Sequence, residues 1–312
     1  MTRRTSMLSA SGTLAAPAGV AGQQPATAVS ADDEASAFAT VADSVRLHYR
    51  RRGSGDPVLL VHGWPETSYA WRKVAPLLAS SWMTIAPDLR GVGDSDRPAS
   101  GYDKRTLATD LHALTASLGL GPVHLVAQDM GALVGVLFAK LWPNAVRSFT
   151  FIESAVPGFG LEAAMDVAHG GSWHFGFCMA GAISEELVRG RERMFLEYFY
   201  QRGTAQVDAL TPHDVDEYVR TYASGGLVHS FSMYRTLLDD AQLTRELFAG
   251  SKLAVPVASI AAAHGLGELS HHSIERVAEL SRRVTIDDAK HFLAQDQPHR
   301  LAETLTEIFR TT

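Results

Sequence analysis

Residues 127–131 read Ala127-Gln128-Asp129-Met130-Gly131: a small residue, any residue, an acid, any residue, a small residue. That is the spacing of a nucleophile elbow, Gly-x-Ser-x-Gly, with Asp129 standing in the serine's place. Small side chains two positions either side are required because the turn is tight and strand and helix nearly touch there. A carboxylate lifted on such a turn is a candidate nucleophile. Asp is also among the best helix N-cap residues, so the motif taken alone leaves both roles open. His62, Glu153, His264 and His291 are the other chemistry-bearing side chains that the pattern below brings to the same end of the molecule.

The elements around the elbow are readable from hydrophobic spacing. Val123, Leu125 and Val126 make the short apolar run of a buried parallel strand. Residues 130–142 are apolar on every face and stop at Pro143, as a buried helix does. Along the chain, 37–40 and 45–51 read as a hairpin, 57–61 as a buried strand running into His62-Gly63-Trp64-Pro65, and 67–79 as a helix. A strand at 83–89 ends in a Gly-rich turn, Gly91-Val92-Gly93, that no helix follows, so it is not a dinucleotide fingerprint. A helix over 105–118 precedes the elbow, and a strand over 146–152 follows it and delivers Glu153. From 158 to 249 the strand pattern disappears, with helices expected at 185–201, 213–223 and 228–238. Strands return at 255–262 and 283–286, and a helix over 298–309 closes the chain. This alternation predicts an α/β protein with an open parallel sheet: a core of 37–157 and 250–312 and a helical lid of 158–249 inserted after the sixth strand. Ligands on such sheets bind outside the carboxyl ends of the strands, where His62, Asp129, Glu153, His264 and His291 all fall.

Composition narrows the class. A chain of 312 residues, 46% of them hydrophobic, can bury a large core. A net charge of -6 without a block of Lys or Arg argues against nucleic acid as a partner. The single cysteine, Cys178, excludes an internal disulfide and a cysteine-based metal cluster. No stretch reaches the roughly 18–20 apolar residues of a membrane span. Residues 1–36 are rich in Ala, Ser, Thr and Gly; Arg3-Arg4 at the front resembles a twin-arginine export signal, and Ala28-Val29-Ser30-Ala31 suits cleavage before Asp32. Its apolar stretch is weak and holds Pro17, so the segment reads as an export leader, giving a periplasmic or secreted protein, or else as a disordered tail on a cytoplasmic one.

His62-Gly63-Trp64-Pro65, the stretch from Asp88 to Ser95, the Asp129 elbow and Lys290-His291-Phe292-Leu293 occur in one order and spacing. Together they resemble an α/β hydrolase of the epoxide hydrolase and haloalkane dehalogenase group, from about residue 40 to the end. Glu153, Trp173-His174-Phe175 and Phe231-Ser232-Met233-Tyr234-Arg235 are similar to the exported bacterial Cif-like epoxide hydrolases. The resemblance implies an α/β-hydrolase fold, a mostly parallel central sheet flanked by helices with an α-helical cap after strand 6. It implies Asp129 as nucleophile, His291 as general base, and the N–H groups of Trp64 and Met130 as an oxyanion hole. Glu153 would orient His291, with Glu268 as the competing acid. His174 and Tyr234 would donate to the epoxide oxygen, and Trp173 and Phe175 would line the pocket. An sp³ carbon bearing an epoxide oxygen or a halide suits a carboxylate nucleophile, because displacement leaves an ester that activated water then hydrolyses.

Departures from the group sharpen the reading. Haloalkane dehalogenases carry Trp directly after the nucleophile, where Met130 stands; fluoroacetate-type relatives carry arginines after the elbow, and 131–139 has none. A small, neutral, apolar epoxide and water are therefore the expected partners, with a haloalkane or haloacid dehalogenase as the alternative and a non-catalytic binding protein a more distant one. No cofactor, metal or membrane partner is expected, and a homodimer is allowed. His264, His271 and His272 lack carboxylate or cysteine partners at ligand spacing and read as a solvated loop.

Overall fold

In the computed structural model, residues 33–312 are described. The proposed leader and its cleavage point before Asp32 lie outside them. Among the described residues, eight strands form one sheet in the order β1-β2-β4-β3-β5-β6-β7-β8. They are β1 (Glu34–Thr40), β2 (Arg46–Arg52), β3 (Asp56–Val61), β4 (Trp82–Pro87), β5 (Val123–Gln128), β6 (Val146–Ile152), β7 (Val257–Ala262) and β8 (Leu280–Ile286). The first two strands pair antiparallel to each other, β2 pairs antiparallel to β4, and every later pairing is parallel. The carboxyl ends of β3 to β8 therefore open on one side. This is an α/β-hydrolase fold.

Alternation along the central strands splits the core in two. Val58 and Leu60 join one apolar layer, with Trp71, Leu301, Leu305 and Phe309, while Leu59 and Val61 join the other, with Leu107, Leu111, Val136 and Phe149. Each such side chain, removed wholly from water, contributes about 1.5–3 kcal/mol. Helices Lys104–Ser117 and Met130–Leu141 cover one face and Pro298–Arg310 the other. Asp103 caps the first of these, its carboxylate accepting from the Thr106 N–H at 2.9 Å.

Between β6 and β7 the described chain forms helices and loops without a strand, as the lost strand pattern implied, although its helices are shorter than expected. The segment expected at 185–201 is two helices, Ala182–Val188 and Glu192–Gly203, broken at Gly190, whose φ is 73°. The one expected at 228–238 ends at Arg235, and a separate helix, Leu237–Phe248, follows. A π-turn, Tyr222–Gly226, links Pro212–Thr221 to Leu227–Arg235 and turns at Gly225, φ 101°. The helix expected over 67–79 is a 3₁₀ stretch, Ser68–Lys73, followed by the single turn Ala75–Leu78, with Pro76 at its start. β1 begins at Glu34 rather than 37: the antiparallel ladder with β2 runs on to Glu34 opposite Arg52, and the Glu34 carboxylate meets Arg50 at 2.7 Å. β8 starts at Leu280 rather than 283: at the sheet edge its residues alternate half-buried and exposed, and their polarity hid the first part of the strand.

Candidate active site

Asp129 leaves β5 with φ 50° and ψ −122°. For a residue other than glycine that conformation costs about 1–3 kcal/mol and persists only where its surroundings enforce it. Here the Asp129 N–H donates to the Ile152 carbonyl at 3.0 Å, and its carbonyl accepts from the Ser154 hydroxyl at 2.8 Å. The glycines beside it are steric requirements. A Cβ at 131 would come within 2.3 Å of the His62 carbonyl oxygen, and one at 63 within 2.6 Å of the Asp129 Cβ. Asp129 stands at the N-cap position of its helix, but its side chain makes no N-cap hydrogen bond. Instead Oδ1 accepts from the Trp64 N–H at 2.8 Å. Burial alone would raise the Asp129 carboxyl. His291 and the N–H groups of Trp64 and Met130 outweigh it and hold the group below the ordinary carboxylate range.

The Trp64 N–H is aimed by the loop that carries it. His62 is buried, and its Nε2 accepts from the Leu89 N–H at 3.0 Å. That fixes the ring proton on Nδ1, which donates to the Gly63 carbonyl at 2.8 Å. His62 thus ties the loop after β3 to the loop after β4.

His291 sits beyond β8 with Nε2 3.4 Å from Asp129 Oδ2 and Nδ1 3.5 Å from Glu153 Oε2. Its side chain and that of Asp129 are about a quarter exposed, 26% and 24%, so both face open space. Glu153 is wholly buried at the end of β6. It accepts from the Ala262 N–H at 2.7 Å on Oε1 and from the Leu266 N–H at 2.9 Å on Oε2. Gly265 packs so closely on this carboxylate that a Cβ there would approach Oε2 to 2.3 Å. Burial lowers the His291 imidazole, but its bonds to Asp129 and Glu153 and their charges prevail, raising it to about 10.

The inserted helices bring two donors to the same cavity. His174 stacks on the Trp64 indole, ring centroids 5.6 Å apart and planes within 7°, and its Nδ1 lies 2.6 Å from the Ser172 hydroxyl. Burial pushes His174 down to about 4, so it is a neutral imidazole at neutral pH. Tyr234, fully buried, meets Trp64 edge-on at 5.1 Å and His174 at 5.5 Å. Burial and the charge of Asp129 raise its phenol well above the ordinary value, so it keeps its proton. Phe175 packs on Tyr234 at 5.6 Å, and Trp173, 40% exposed, stands at the rim with its indole N–H bonded to the Tyr198 hydroxyl at 3.0 Å. All of these side chains line one cavity of about 720 Å³.

Other expected residues fall elsewhere. Glu268 opens a surface helix and pairs with Arg283 and His272, away from the site. His264 is exposed, but His271 corrects the solvated-loop reading. Helical periodicity turns it inward beside Ile274, between the hydroxyls of Ser259 at 2.8 Å and Thr285 at 3.2 Å. His48, Asp88 and Asp94 stand close enough to suggest a cation site, but their oxygens are spent on protein donors. Asp88 accepts from the Ser68 and Asp94 N–H groups at 2.6 and 2.9 Å, and Asp94 pairs with Arg220 at 2.9 Å.

Two residues that support the site are not legible in the sequence. Gln128 donates to the His291 carbonyl at 2.6 Å, though its place in the motif reads as any residue. Glu66, directly after Pro65, is buried against Gln295 at 2.8 Å, and burial pushes it up to about 7 despite Gln295 and His291. Proximity to the His-Gly-Trp-Pro stretch was the only signal for it.

Residues 56–298 match the model of the α/β hydrolase fold family. The chain is 33% identical to a soluble epoxide hydrolase of Corynebacterium sp. (strain C12), over 85% of this chain and 93% of that one. It is 31% identical to a fluoroacetate dehalogenase of Burkholderia sp, over 57% of this chain and 60% of the relative. Among solved structures, Cfl2 from Burkholderia cenocepacia superposes with a TM-score of 0.85 at 37% identity, covering 89% of this chain and 96% of that one. The chain belongs to the α/β-hydrolase family, as a hydrolase with epoxide hydrolases among its homologues.

Proposed function

We propose that this enzyme hydrolyses epoxides to vicinal diols through an alkyl ester on Asp129. One observation carries the reading: a single cavity holds a carboxylate aligned with an imidazole and a second carboxylate, and also two neutral proton donors, His174 and Tyr234. A carbonyl substrate has no need of such donors, whereas an epoxide oxygen leaving as an alkoxide does.

In this mechanism an Asp129 oxygen attacks an epoxide carbon as the carbon–oxygen ring bond breaks. The oxygen takes a proton from Tyr234 or His174, which solvent restores. Ester formation removes the negative charge of Asp129, one of the two groups that hold His291 protonated. His291 then loses its proton and becomes a base at the stage that needs one. It takes a proton from water, the hydroxide adds to the Asp129 carbonyl, and the oxyanion is met by the Trp64 and Met130 N–H groups. Each such donor is typically worth about 2.7–4 kcal/mol of barrier. Collapse releases the diol and restores the carboxylate. Glu153 orients the imidazole and balances its charge.

Similarity to the fluoroacetate dehalogenase favours carbon–halogen cleavage as the second reading. Intact-mass analysis of His291→Gln after incubation with a panel of epoxides and organohalides separates the two. An adduct equal to the epoxide's mass, absent in Asp129→Asn, is the expected result. An adduct formed only with halide release moves the protein to the dehalogenases, and diol formation surviving in Asp129→Asn overturns both.

A further inference from the structure

The Lys104–Asp240 pair is among the buried ionic groups that the mechanism above leaves without a task. Lys104 begins the core helix Lys104–Ser117 and is 1% exposed; Asp240, on the inserted helix Leu237–Phe248, is 2% exposed. Their charged groups are 3.0 Å apart, and the Lys104 backbone N–H donates to the other Asp240 oxygen at 3.0 Å. A buried pair of this kind is replaceable by apolar side chains at little or no loss of stability, so stability alone is a weak reason for it.

The remaining bonds of the pair converge on one place. The Lys104 ammonium donates to the Met233 carbonyl and, at 3.1 Å, to the Thr236 hydroxyl. That hydroxyl donates in turn to Asp240 at 2.8 Å. Met233 and Thr236 flank Tyr234 in the chain. The Met233 carbonyl lies in the last turn of helix Leu227–Arg235, where partners within the helix run out and a positive charge is favoured. One turn earlier, Ser230 accepts from the Trp64 indole N–H at 2.9 Å, so the helix is pinned on both sides of Tyr234.

We propose that the Lys104–Asp240 pair is a positioning device for Tyr234, fixing the last turn of its helix so that the phenol meets the departing oxygen. The inference rests on Tyr234 donating in ring opening. Lys104 acts through Tyr234 and touches no substrate.

The test is a double-mutant cycle read by single-turnover kinetics on a styrene-oxide-like substrate, with ester formation and ester hydrolysis resolved. Lys104→Met is compared in the wild-type and Tyr234→Phe backgrounds. Lys104→Met/Asp240→Asn, which leaves no buried charge unpaired, runs beside it in case the single change prevents folding. Misplacing a reacting group by an ångström costs up to about 10²-fold, so a loss of roughly tenfold in ester formation is expected with Tyr234 present. In Tyr234→Phe the further loss should be less than about twofold, and ester hydrolysis should be unchanged in both backgrounds. A loss that persists in Tyr234→Phe, or that strikes both steps alike, overturns the positioning role while leaving ring opening by Tyr234 intact. A Tyr234→Phe enzyme that opens the ring at the wild-type rate removes the donor role of Tyr234 and this proposal with it.

Discussion

Replacing Glu153 by Gln changes two atoms of a side chain that has no room to adjust. Both carboxylate oxygens already accept backbone N–H groups, from Ala262 at 2.7 Å and Leu266 at 2.9 Å. Whichever way the new amide turns, its NH₂ faces one of those donors, and a buried donor left unpaired costs about 1–3 kcal/mol. The variant should therefore be less stable by that amount in urea unfolding and still fold. The effect on turnover should be larger and confined to one step. Without Glu153 the imidazolium loses the negative charge behind Nδ1 at 3.5 Å, and the ring is no longer held in the tautomer that leaves Nε2 free to accept a proton. Loss of general-base function typically costs about 10²–10⁴-fold, or roughly 2.7–5.4 kcal/mol of barrier. Ester formation, which in the proposed mechanism uses Asp129 and the two donors, should fall by less than about tenfold. Rapid-quench kinetics with intact-mass detection would then show the ester accumulating in Glu153→Gln, while Glu268→Gln behaves as wild type. Equal slowing of both steps, or accumulation in Glu268→Gln instead, would refute the reasoning.

The raised value of His291 makes a stability prediction with a definite sign. Its contribution is complete below its ordinary value of 6.5 and is lost as pH rises through about 10, so the wild-type Tm should decline over that window and the Tm of His291→Gln should decline less. Gly63→Ala forces a Cβ to within 2.6 Å of the Asp129 Cβ, so the Trp64 N–H must move off the carboxylate; ester hydrolysis should drop about 10²–10³-fold, measured by single turnover, with near-wild-type folding by circular dichroism. We also propose that the Arg3-Arg4 leader exports the chain. N-terminal sequencing of protein from the native host should then begin near Asp32, and a cytoplasmic product that retains Met1 or Thr2 would refute export.

What the residues determine without the fold is whatever depends on near neighbours. The elbow is legible because its sterics span five residues: the small residues at 127 and 131 are what the tight turn at Asp129, φ 50°, requires, and the acid between them marks the chemistry. The buried strands are legible because alternation and apolar runs are local, as with Val58 to Val61. The same locality explains the errors, where a half-exposed edge strand or a helix broken by one glycine offers too little periodic signal. Which side chains meet is a different matter. Only the placing of β6 between β5 and β7 lets Glu153 reach His291 and take the N–H groups of the β7 loop, while Glu268, nearer in sequence, turns to solvent. Likewise only the docking of the inserted helices puts His174 and Tyr234 on the Trp64 ring, and Lys104 behind them. Those contacts bridge separations from 110 to 170 residues for Trp64 and 136 for Lys104 and Asp240. Sequence spacing constrains a chain over a turn or two of structure; beyond that, burial of the shared apolar layers decides which distant groups become neighbours.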